Sequence, residues 1–390
     1  MYADTVRSPD LRHRIPHAVA DRFLYLETDG EAHAVCRSLE VERMRGVAGL
    51  HPHADEEFGL DELRGQGVAA AEMYLHVALS ACQRFGVGQA TVPPDFPLEL
   101  ADHLRDAGLK LKVDGALFER TRRVKTQAQL AGIRRAQRGA EAAVDAITAI
   151  LARAYVPAQS VTHGVQQAGH GSAQAVFFEG EPLTSEILKE AARKAFAESA
   201  VSADEFIVAH GYQTCVGHHM GSGVIMAGEP ITVDLWPKDE ETGCYTDMTR
   251  TYVVGEPAQE LLKYHRLSKE ALERSMAKIQ PGARVADVHG AACEVFEAAG
   301  YPTQRTKKPG EILLDGFFHS LGHGVGLEVH EAPSLNQNDD VLIEGDVIAV
   351  EPGCYRQGFG GARLEDLVLV TANGAELLTS YSYSLFPGRE

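Results

Sequence analysis

The chain has 390 residues, 44% of them hydrophobic, and a formal net charge of −18 from 37 basic and 55 acidic side chains. Its length predicts two domains, because it exceeds what a single hydrophobic core usually supports. The acidic balance argues against binding to nucleic acid or to an anionic membrane, since both carry negative charge.

Neither the start of the chain nor its cysteines indicate export. The first residues, MYADTVRSPDL, have no basic segment followed by an apolar one, as a signal peptide has. No uninterrupted apolar run elsewhere reaches the roughly 18 residues of a membrane helix. The six cysteines form no CxxC pair, which predicts free thiols rather than disulfides or a cysteine zinc site. We therefore expect a cytoplasmic protein.

Strands and helices alternate over the first third of the chain. Two β-rich runs, residues 23–28 and 32–38, flank Asp29-Gly30, a pair typical of a hairpin turn. A long helix, a strand (QATV), a second helix (LELADHLRDAG) and a further strand (LKLKVDG) follow. This alternation predicts a small α/β domain, and we place its end near residue 120.

A basic run, ERTRRVKTQAQLAGIRRAQRGAEAAVDAITAIL, comes next. Thr126 and Gln129 have the spacing of a helix-capping box, and apolar residues then recur at helical spacing. We interpret the arginines and lysines as the solvated face of a linker helix. Beyond residue 201, strands separated by glycine turns predominate, with helices predicted at 259–277 and 285–299.

Four acidic residues lie in strand-like runs, where a water-facing charge is not expected. They are Asp234 in EPITVDLW, Asp247 in CYTDMTRTYVVG, Glu351 in DVIAVEPGCY and Glu365 in GGARLEDLVLV. We interpret each consecutive pair as a hairpin that carries one carboxylate on each strand. Ionised carboxylates among valines and isoleucines are costly unless they are paired or bind a cation. The alternative for each residue alone is a surface acid on an edge strand.

The segment HSLGHGVGLEVHEAP carries His319, His323 and His330 among three glycines. The first two have the spacing of the helical HExxH zinc motif, but the glycines weaken a helix, so we expect an extended chain. On a strand His319 and His323 share a face, and His330 points opposite unless the chain bends or bulges. One histidine as a metal ligand and the others around a substrate is therefore favoured. One histidine ligand together with the four carboxylates predicts a site for one or two divalent ions.

Five blocks resemble, in composition and order, the motifs of the pita-bread metallopeptidases, a family that includes methionine aminopeptidase, aminopeptidase P and prolidase. The blocks are VDLW, YTDMTRT, HSLGHGVGLEVHEAP, VEPGCY and GGARLEDLVLV. The EPGCY and ARLED forms are similar to the proline-specific branch, and the N-terminal region resembles the creatinase-type domain of prolidase and aminopeptidase P. The resemblance implies an α/β (α+β) fold, with a creatinase-type domain at 1–120 and a pita-bread catalytic domain at 121–390.

For the metal centre, the resemblance implies two divalent ions. Asp234 would bind one ion, His323 and Glu351 would bind the other, and Asp247 and Glu365 would bridge them. A hydroxide between the ions would attack the scissile bond, with Glu351 as general base and general acid. We expect manganese, with cobalt, zinc and iron as alternatives.

The resemblance also implies roles for residues around the substrate. His330 would stabilise the scissile carbonyl or its oxyanion, and His319 would line the substrate pocket. Arg363 would support the metal ligands or contact the substrate carboxylate. A further catalytic histidine is expected in IVAHGYQTCVGHHMGSG, where we assign His218 and keep His219 as the alternative.

One departure from the family pattern lies between the first two ligands. Asp234 and Asp247 are two residues further apart than is common in the family. An even insertion keeps both carboxylates on one face if the hairpin pairs regularly. We therefore keep both ligands and expect the longer hairpin to alter the rim of the substrate site.

The expected activity is metal-dependent hydrolysis of the Xaa-Pro bond in dipeptides or at the N-terminus of short peptides, by a homodimer. Two alternatives use the same fold: a lyase or amidinohydrolase, or a binding scaffold without catalysis. Creatinase-like amidinohydrolases and scaffolds lose metal ligands, and all five ligand positions are filled here. A metal-retaining lyase would keep them. The sequence does not distinguish a dipeptidase from an aminopeptidase.

Overall fold

The computed structural model describes residues 1–157 and 174–388. The chain divides into two compact units, Met1–Arg122 and Arg123–Glu390. Among the described residues, none of the helices combines the length and the apolar character that crossing a bilayer requires. All six cysteines are free thiols, as their spacing predicts.

The first unit carries one four-stranded sheet and one separate pair of strands. Its helices are α1 (Pro9–Arg14), α2 (Ser38–Met44), α3 (Leu60–Gly65), α4 (Ala70–Arg84), α5 (Leu98–Asp106) and α6 (Gly115–Arg123), whose last residue is the first of the second unit. Its strands are β1 (Tyr2–Ala3), β2 (Phe23–Thr28), β3 (Glu31–Cys36), β4 (Leu50–Ala54), β5 (Gln89–Val92) and β6 (Lys110–Val113). The sheet order is β1-β2-β3-β4, and β5 pairs with β6. The predicted alternation of strands and helices is confirmed.

The predicted hairpin turn at Asp29-Gly30 is confirmed as well. Thr28 pairs with Glu31, which leaves a two-residue loop between β2 and β3. Both loop residues have positive φ, 52° and 82°. A two-residue turn of this kind matches the right-handed twist of the strands it joins, and Asp-Gly suits it because both residue types tolerate that conformation.

In the described residues of the second unit, 123–157 and 174–388, the following helices and strands occur. Its helices are α7 (Gln127–Arg153), α8 (Ser185–Glu198), α9 (Gln259–Met276) and α10 (Val285–Ala298). Its strands are β7 (Phe177–Phe178), β8 (Glu181–Pro182), β9 (Val201–Ser202), β10 (Ile207–His210), β11 (Ile231–Leu235), β12 (Lys238–Asp239), β13 (Met248–Tyr252), β14 (Gly322–Gly324), β15 (Glu331–Leu335), β16 (Val347–Val350), β17 (Gly353–Arg356), β18 (Gly360–Arg363), β19 (Asp366–Thr371) and β20 (Gly374–Leu377). The helices predicted at 259–277 and 285–299 are confirmed to within one residue at each end.

Two sheets of the second unit each pack against a pair of helices. The sheet β10-β11-β13 shares a hydrophobic core with α7 and α8. The sheet β15-β14-β16-β19-β20 shares another with α9 and α10. Each helix pair covers one apolar sheet face, which is how helices and sheets bury their hydrophobic surfaces. Polar and acidic side chains at the strand ends of both sheets form the site described below.

The interpretation of the basic run as a solvated helix face is wrong for Arg122, Arg123 and Lys125, which are buried, although Arg120 and Arg138 are exposed. The helix breaks between α6 and α7, and Arg123 and Lys125 lie in or beside this break with only 6% and 7% of their surfaces exposed. Arg123 donates to both carboxylate oxygens of Asp346 at 2.8 and 2.7 Å, and Lys125 pairs with Glu331. Carboxylates far along the chain compensate these charges, so spacing within the run could not reveal their burial.

The capping box at the start of α7 is confirmed. The Thr126 hydroxyl accepts from the backbone N–H of Gln129 at 3.2 Å, and the Gln129 side chain accepts from the N–H of Thr126 at 2.9 Å. These two bonds satisfy donors that the first helical turn leaves unpaired. The start of α7 is therefore encoded locally, although the contacts of the basic residues before it are not.

Candidate active site

The first two predicted carboxylates lie on neighbouring strands. Asp234 is the fourth residue of β11 and pairs with Thr249 of β13, and Asp247 directly precedes β13. Cross-strand partners and residues two positions away share a face of a sheet. Asp234, Asp247 and the Thr249 hydroxyl are therefore placed on the same side, as the even insertion predicts.

The residues that lengthen this hairpin fold back on α7. The strand β12 pairs with β9, and the Asp239 carboxylate accepts from the Arg135 guanidinium at 2.8 and 2.9 Å. Asp239 also accepts from the hydroxyl of Thr242 at 2.6 Å. A Cβ at Gly132 of α7 would lie 2.0 Å from that hydroxyl, so the loop packs directly on the helix backbone. These contacts hold the longer hairpin against α7 while leaving both carboxylates in register.

The other two carboxylates lie where β16 and β19 end. The last pair of this ladder joins Val350 to Asp366, so Glu351 directly follows β16 and Glu365 directly precedes β19. The backbone N–H of Glu365 donates to the carbonyl of Thr249 at 3.1 Å. That bond links β13 to the end of β19 and brings the two carboxylate pairs to a common site.

The histidine segment is extended and bulged at its glycines, as predicted. His323 is the central residue of β14, and the pairing with β15 shifts register between His323 and Gly324. A Cβ on Gly322 would lie 1.9 Å from the carbonyl oxygen of Ala349. On Gly324 it would lie 2.2 Å from that of Ala332. These glycines are therefore required for close strand approach rather than for flexibility.

His323 presents one nitrogen to the carboxylates. Its Nδ1 donates to the carbonyl of Gly324 at 3.1 Å, which leaves Nε2 with a lone pair. Nε2 lies 3.7 Å from Asp247 Oδ2 and 3.9 Å from Glu351 Oε1. A backbone acceptor on one ring nitrogen is the arrangement that fixes the tautomer of metal-binding histidines.

Asp247, His323 and Glu365 offer ligand atoms that all lie within 4.8 Å of one another, and all three residues are buried. Asp247 Oδ1 is buried, and none of the described residues gives it a hydrogen bond. Burial, followed by repulsion from the neighbouring carboxylates, raises the pKa values of Asp247 and Glu365 well above their usual range. Burial also raises the pKa of Glu351 to about 7. A set of carboxylate oxygens with one imidazole nitrogen fits divalent metal ions. Such ions would bind the unpaired oxygen of Asp247 and offset the repulsion between the carboxylates.

Arg363 is committed to contacts inside the protein. Its guanidinium donates to Asp234, to the hydroxyl of Tyr355 at 3.2 Å and to the hydroxyl of Thr249 at 3.3 Å. The Thr249 hydroxyl in turn donates to Glu365 at 2.6 Å. The expected role of Arg363 is either to support the metal ligands or to contact the substrate carboxylate, and these contacts favour the first role. Thr249 and Tyr355 were missed by sequence reasoning, although both lie in the quoted motifs, YTDMTRT and EPGCY.

His319 lies beside Glu351, and both of its ring nitrogens have partners. Its Nδ1 lies 2.7 Å from the carbonyl of Ser320, and its Nε2 lies 2.9 Å from the Tyr355 hydroxyl. Burial lowers its pKa to about 3, so the ring is neutral. The Phe317 ring meets it edge-on at 5.0 Å. His319 therefore offers the site an apolar ring surface rather than a free hydrogen-bonding nitrogen.

The remaining predicted histidines lie around the same cluster. The His330 ring is exposed and lies 4.2 Å from the ring of His323. His218 is also exposed and lies near His319 and His330, whose pKa values are lowered chiefly by burial and further by neighbouring positive charge. His219 accepts from the backbone N–H of Gly221 at 3.0 Å and so belongs to its own turn.

Residues 131–372 match the family model described as metallopeptidase family M24. The chain belongs to this family. Over 175 residues it is 38% identical to the Xaa-Pro dipeptidase of Pyrococcus furiosus, a match that covers 44% of this chain and 46% of that protein. The matched segment thus spans about half the length of the curated relative.

Two solved structures resemble the chain over nearly its whole length. The Xaa-Pro dipeptidase from Bacillus anthracis has a TM-score of 0.73 at 23% identity and covers 96% of this chain and 92% of its own. The X-Pro aminopeptidase from Thermotoga maritima has a TM-score of 0.75 at 21% identity and covers 99% and 96%. These likenesses confirm the expected fold, an N-terminal α/β domain followed by a pita-bread domain.

Proposed function

We propose that this M24 protein hydrolyses the Xaa-Pro bond of dipeptides, or of short peptides at their N-terminus, in a metal-dependent reaction. The observation that carries the proposal is the convergence of Asp247, His323 and Glu365, with Asp234 and Glu351 beside them. The name Xaa-Pro dipeptidase, given to the Pyrococcus furiosus relative, supports the choice of bond. The complete set of ligands argues against a scaffold without catalysis.

The five ligands would hold two divalent ions. Asp234 would bind one ion, His323 and Glu351 the other, and Asp247 and Glu365 would lie between them. The ions, when bound, supply Lewis acidity that makes water nucleophilic at neutral pH. We propose Mn²⁺ in both positions, because the set is rich in carboxylate oxygens and contains a single imidazole.

Four side chains of the protein would handle the proton and the substrate. Glu351 would take the proton from the attacking water and return it to the departing nitrogen. His330 and His218, both exposed beside the cluster, would donate hydrogen bonds to the scissile carbonyl as it gains charge. Arg363 would act on the substrate only indirectly, by orienting Asp234.

The ring of a proline substrate would pack against the apolar side of the site. His319, Phe318 and Tyr355 form a cluster of rings with centroids 4.9 to 5.8 Å apart. Proline has a rigid ring and, once in a peptide bond, no amide N–H to satisfy. The polar atoms of these rings already have partners, so the rings offer an apolar surface. Such a surface suits proline better than it suits an amino acid whose amide N–H needs a hydrogen-bond acceptor.

We extend the proposal to the assembly and its setting. The N-terminal residues 1–120 would form a creatinase-type domain, residues 121–390 the catalytic domain, and two chains a homodimer in the cytoplasm. Support for the domain assignment comes from the boundary between compact units, which lies at Arg122.

The proposal is tested by incubating metal-free protein with Ala-Pro and with Ala-Ala, adding Mn²⁺, and measuring the free amino acids. We expect proline release from Ala-Pro that depends on Mn²⁺ and far exceeds hydrolysis of Ala-Ala. Absence of free proline with manganese, cobalt, zinc and iron would contradict the peptidase and favour a lyase. Tripeptides with proline in second position separate the two peptidase types, since only an aminopeptidase cleaves them.

A further inference from the structure

A second group of histidines lies in the N-terminal unit, on adjacent strands. His51 and His53 are two residues apart on β4, in the sequence HPH, and His33 lies on β3. The parallel pairing sets His33 against His51 and Val35 against His53. Residues two apart on a strand and their cross-strand partners share a face. All three imidazoles therefore project from one face of the sheet, near its β4 edge.

Two of these rings already have the separation of metal ligands. His33 Nδ1 lies 3.2 Å from His53 Nε2. Bonds of roughly 2.0–2.1 Å from zinc to nitrogen, at a tetrahedral angle, place two ligand nitrogens about 3.3–3.4 Å apart. The observed distance between the two nitrogens is close to this ligand–ligand distance. It also fits a hydrogen bond between the two rings.

A carboxylate lies on the outer side of each ring. Glu31 lies 3.7 Å from His33 Nε2, and Glu57 lies 3.5 Å from His53 Nδ1. Such carboxylates favour ring protons on the outer nitrogens, as in the carboxylate–histidine pairs of metal sites. In that tautomer the two inner nitrogens would present lone pairs to each other, an arrangement that a shared cation relieves.

The third ring would complete the set only after its side chain rotates, because the ligand nitrogens of the three histidines do not all lie within 4.8 Å of one another as they stand. The His51 and His53 ring centroids each lie 5.4 Å from the centroid of the His33 ring. His51 is exposed, so rotation of its side chain is not opposed by packing. His33 is only 6% exposed and stacks on Phe85 at 4.2 Å, which fixes the innermost ligand.

We propose that His33, His51 and His53 form a metal site of their own, for a borderline divalent transition-metal ion such as Ni²⁺ or Zn²⁺. Three neutral imidazoles suit these ions and suit Mn²⁺ poorly, so the site differs in preference from the carboxylate cluster. A bound ion would tie the edge strand β4 to β3, because its ligands come from both strands.

The test is equilibrium dialysis of the full chain against micromolar Ni²⁺, with the metal counted by atomic emission. The variant His51→Gln/His53→Gln changes the two more accessible ligands, and we expect it to bind one Ni²⁺ fewer per chain at concentrations that saturate the parent. His76→Gln, which changes another exposed histidine of the same unit, is the matched control and should bind as much as the parent.

Equal Ni²⁺ counts in the parent and the double variant would overturn the proposal, as would an equal loss in the His76→Gln control. Circular dichroism checks the fold, and His51→Gln alone serves if the double variant misfolds. Turnover of Ala-Pro with Mn²⁺ should be unchanged in both variants. The metal count needs no peptidase activity, so it tests the site even if the proposed reaction fails.

Discussion

The C-terminal unit buries charge in two ways. At the break before α7, Arg123 meets Asp346 in a two-bond pair and Lys125 meets Glu331, so each buried acid has a fixed cationic partner. In the carboxylate cluster, the guanidinium of Arg363 is bonded to Asp234. Asp247, Glu351 and Glu365 repel one another, and burial raises their pKa values. The first region pairs each of its buried acids with a cation of the protein, whereas we infer that the second binds cations from solution.

The largest expected effect is the loss of activity when a carboxylate of the cluster is changed. Glu351→Gln removes the proposed proton carrier and one ligand, and we expect kcat on Ala-Pro to fall roughly 10²- to 10⁴-fold. Asp247→Asn should abolish turnover as well, while both variants stay folded because each removes a charge from a repulsive cluster. Glu344→Gln, at an exposed acid before β16, is the control and should keep parental turnover. Full turnover in Glu351→Gln would refute the role given to this carboxylate.

The compensated region is tested by removing its cation. Lys125→Met leaves the buried Glu331 carboxylate without its ammonium partner, and the two side chains are only 2% and 3% exposed. We expect the free energy of unfolding, measured in urea, to fall by about 3–5 kcal/mol. The double variant Lys125→Met/Glu331→Gln should recover most of this loss, because neither charge of the pair remains. A single variant as stable as the parent would show that the pair is not needed.

A smaller effect is expected from a neighbour of the ligands. Thr249 donates to Glu365 at 2.6 Å and accepts from Arg363 at 3.3 Å, so it orients both sides of the cluster. Thr249→Val keeps the shape and removes the hydroxyl, and we expect Mn²⁺ affinity to drop roughly 10- to 100-fold by calorimetry. Thr249→Ser should restore binding, since it keeps the donor. Identical affinities in Val and Ser variants would mean that the hydroxyl does not support the metal.

The smallest effect concerns a buried group kept neutral. His289 is 1% exposed, and burial lowers its pKa to about 4 from 6.5. Only the unfolded chain takes up this proton as pH falls from about 6.5 to about 4, so stability is lost over that window. Between pH 7 and pH 5, the parent should lose about 2 kcal/mol more than His289→Gln in urea unfolding. Equal losses of stability in the parent and in His289→Gln would show that burial of neutral His289 does not make stability depend on pH.

Much of the fold could be predicted because its signals are local. The turn at Asp29-Gly30, the capping box at Thr126 and the helices α9 and α10 each depend on residues within a few positions of one another. The burial of Arg123 and Lys125 could not be predicted in this way. Their partners lie more than 200 positions away, and only tertiary packing brings those acids to the break before α7.

The site shows the same division. Motif spacing marked the carboxylates and His323, because ligands on strands must alternate in a fixed register. It could not show that the glycines serve backbone approach, since Ala349 and Ala332 reach them from other strands. Nor could it show that Tyr355 and Ser320 already occupy both nitrogens of His319.

The central claim is that the carboxylate cluster is completed by metal ions from solution. Calorimetric titration of metal-free protein with Mn²⁺ tests it most directly, compared with the variant Asp247→Asn/Glu365→Gln. We predict two Mn²⁺ ions per chain in the parent and loss of both in the variant, whose proposed bridging ligands are changed. Binding of no Mn²⁺ by the folded parent, or equal binding by the variant, would contradict the claim.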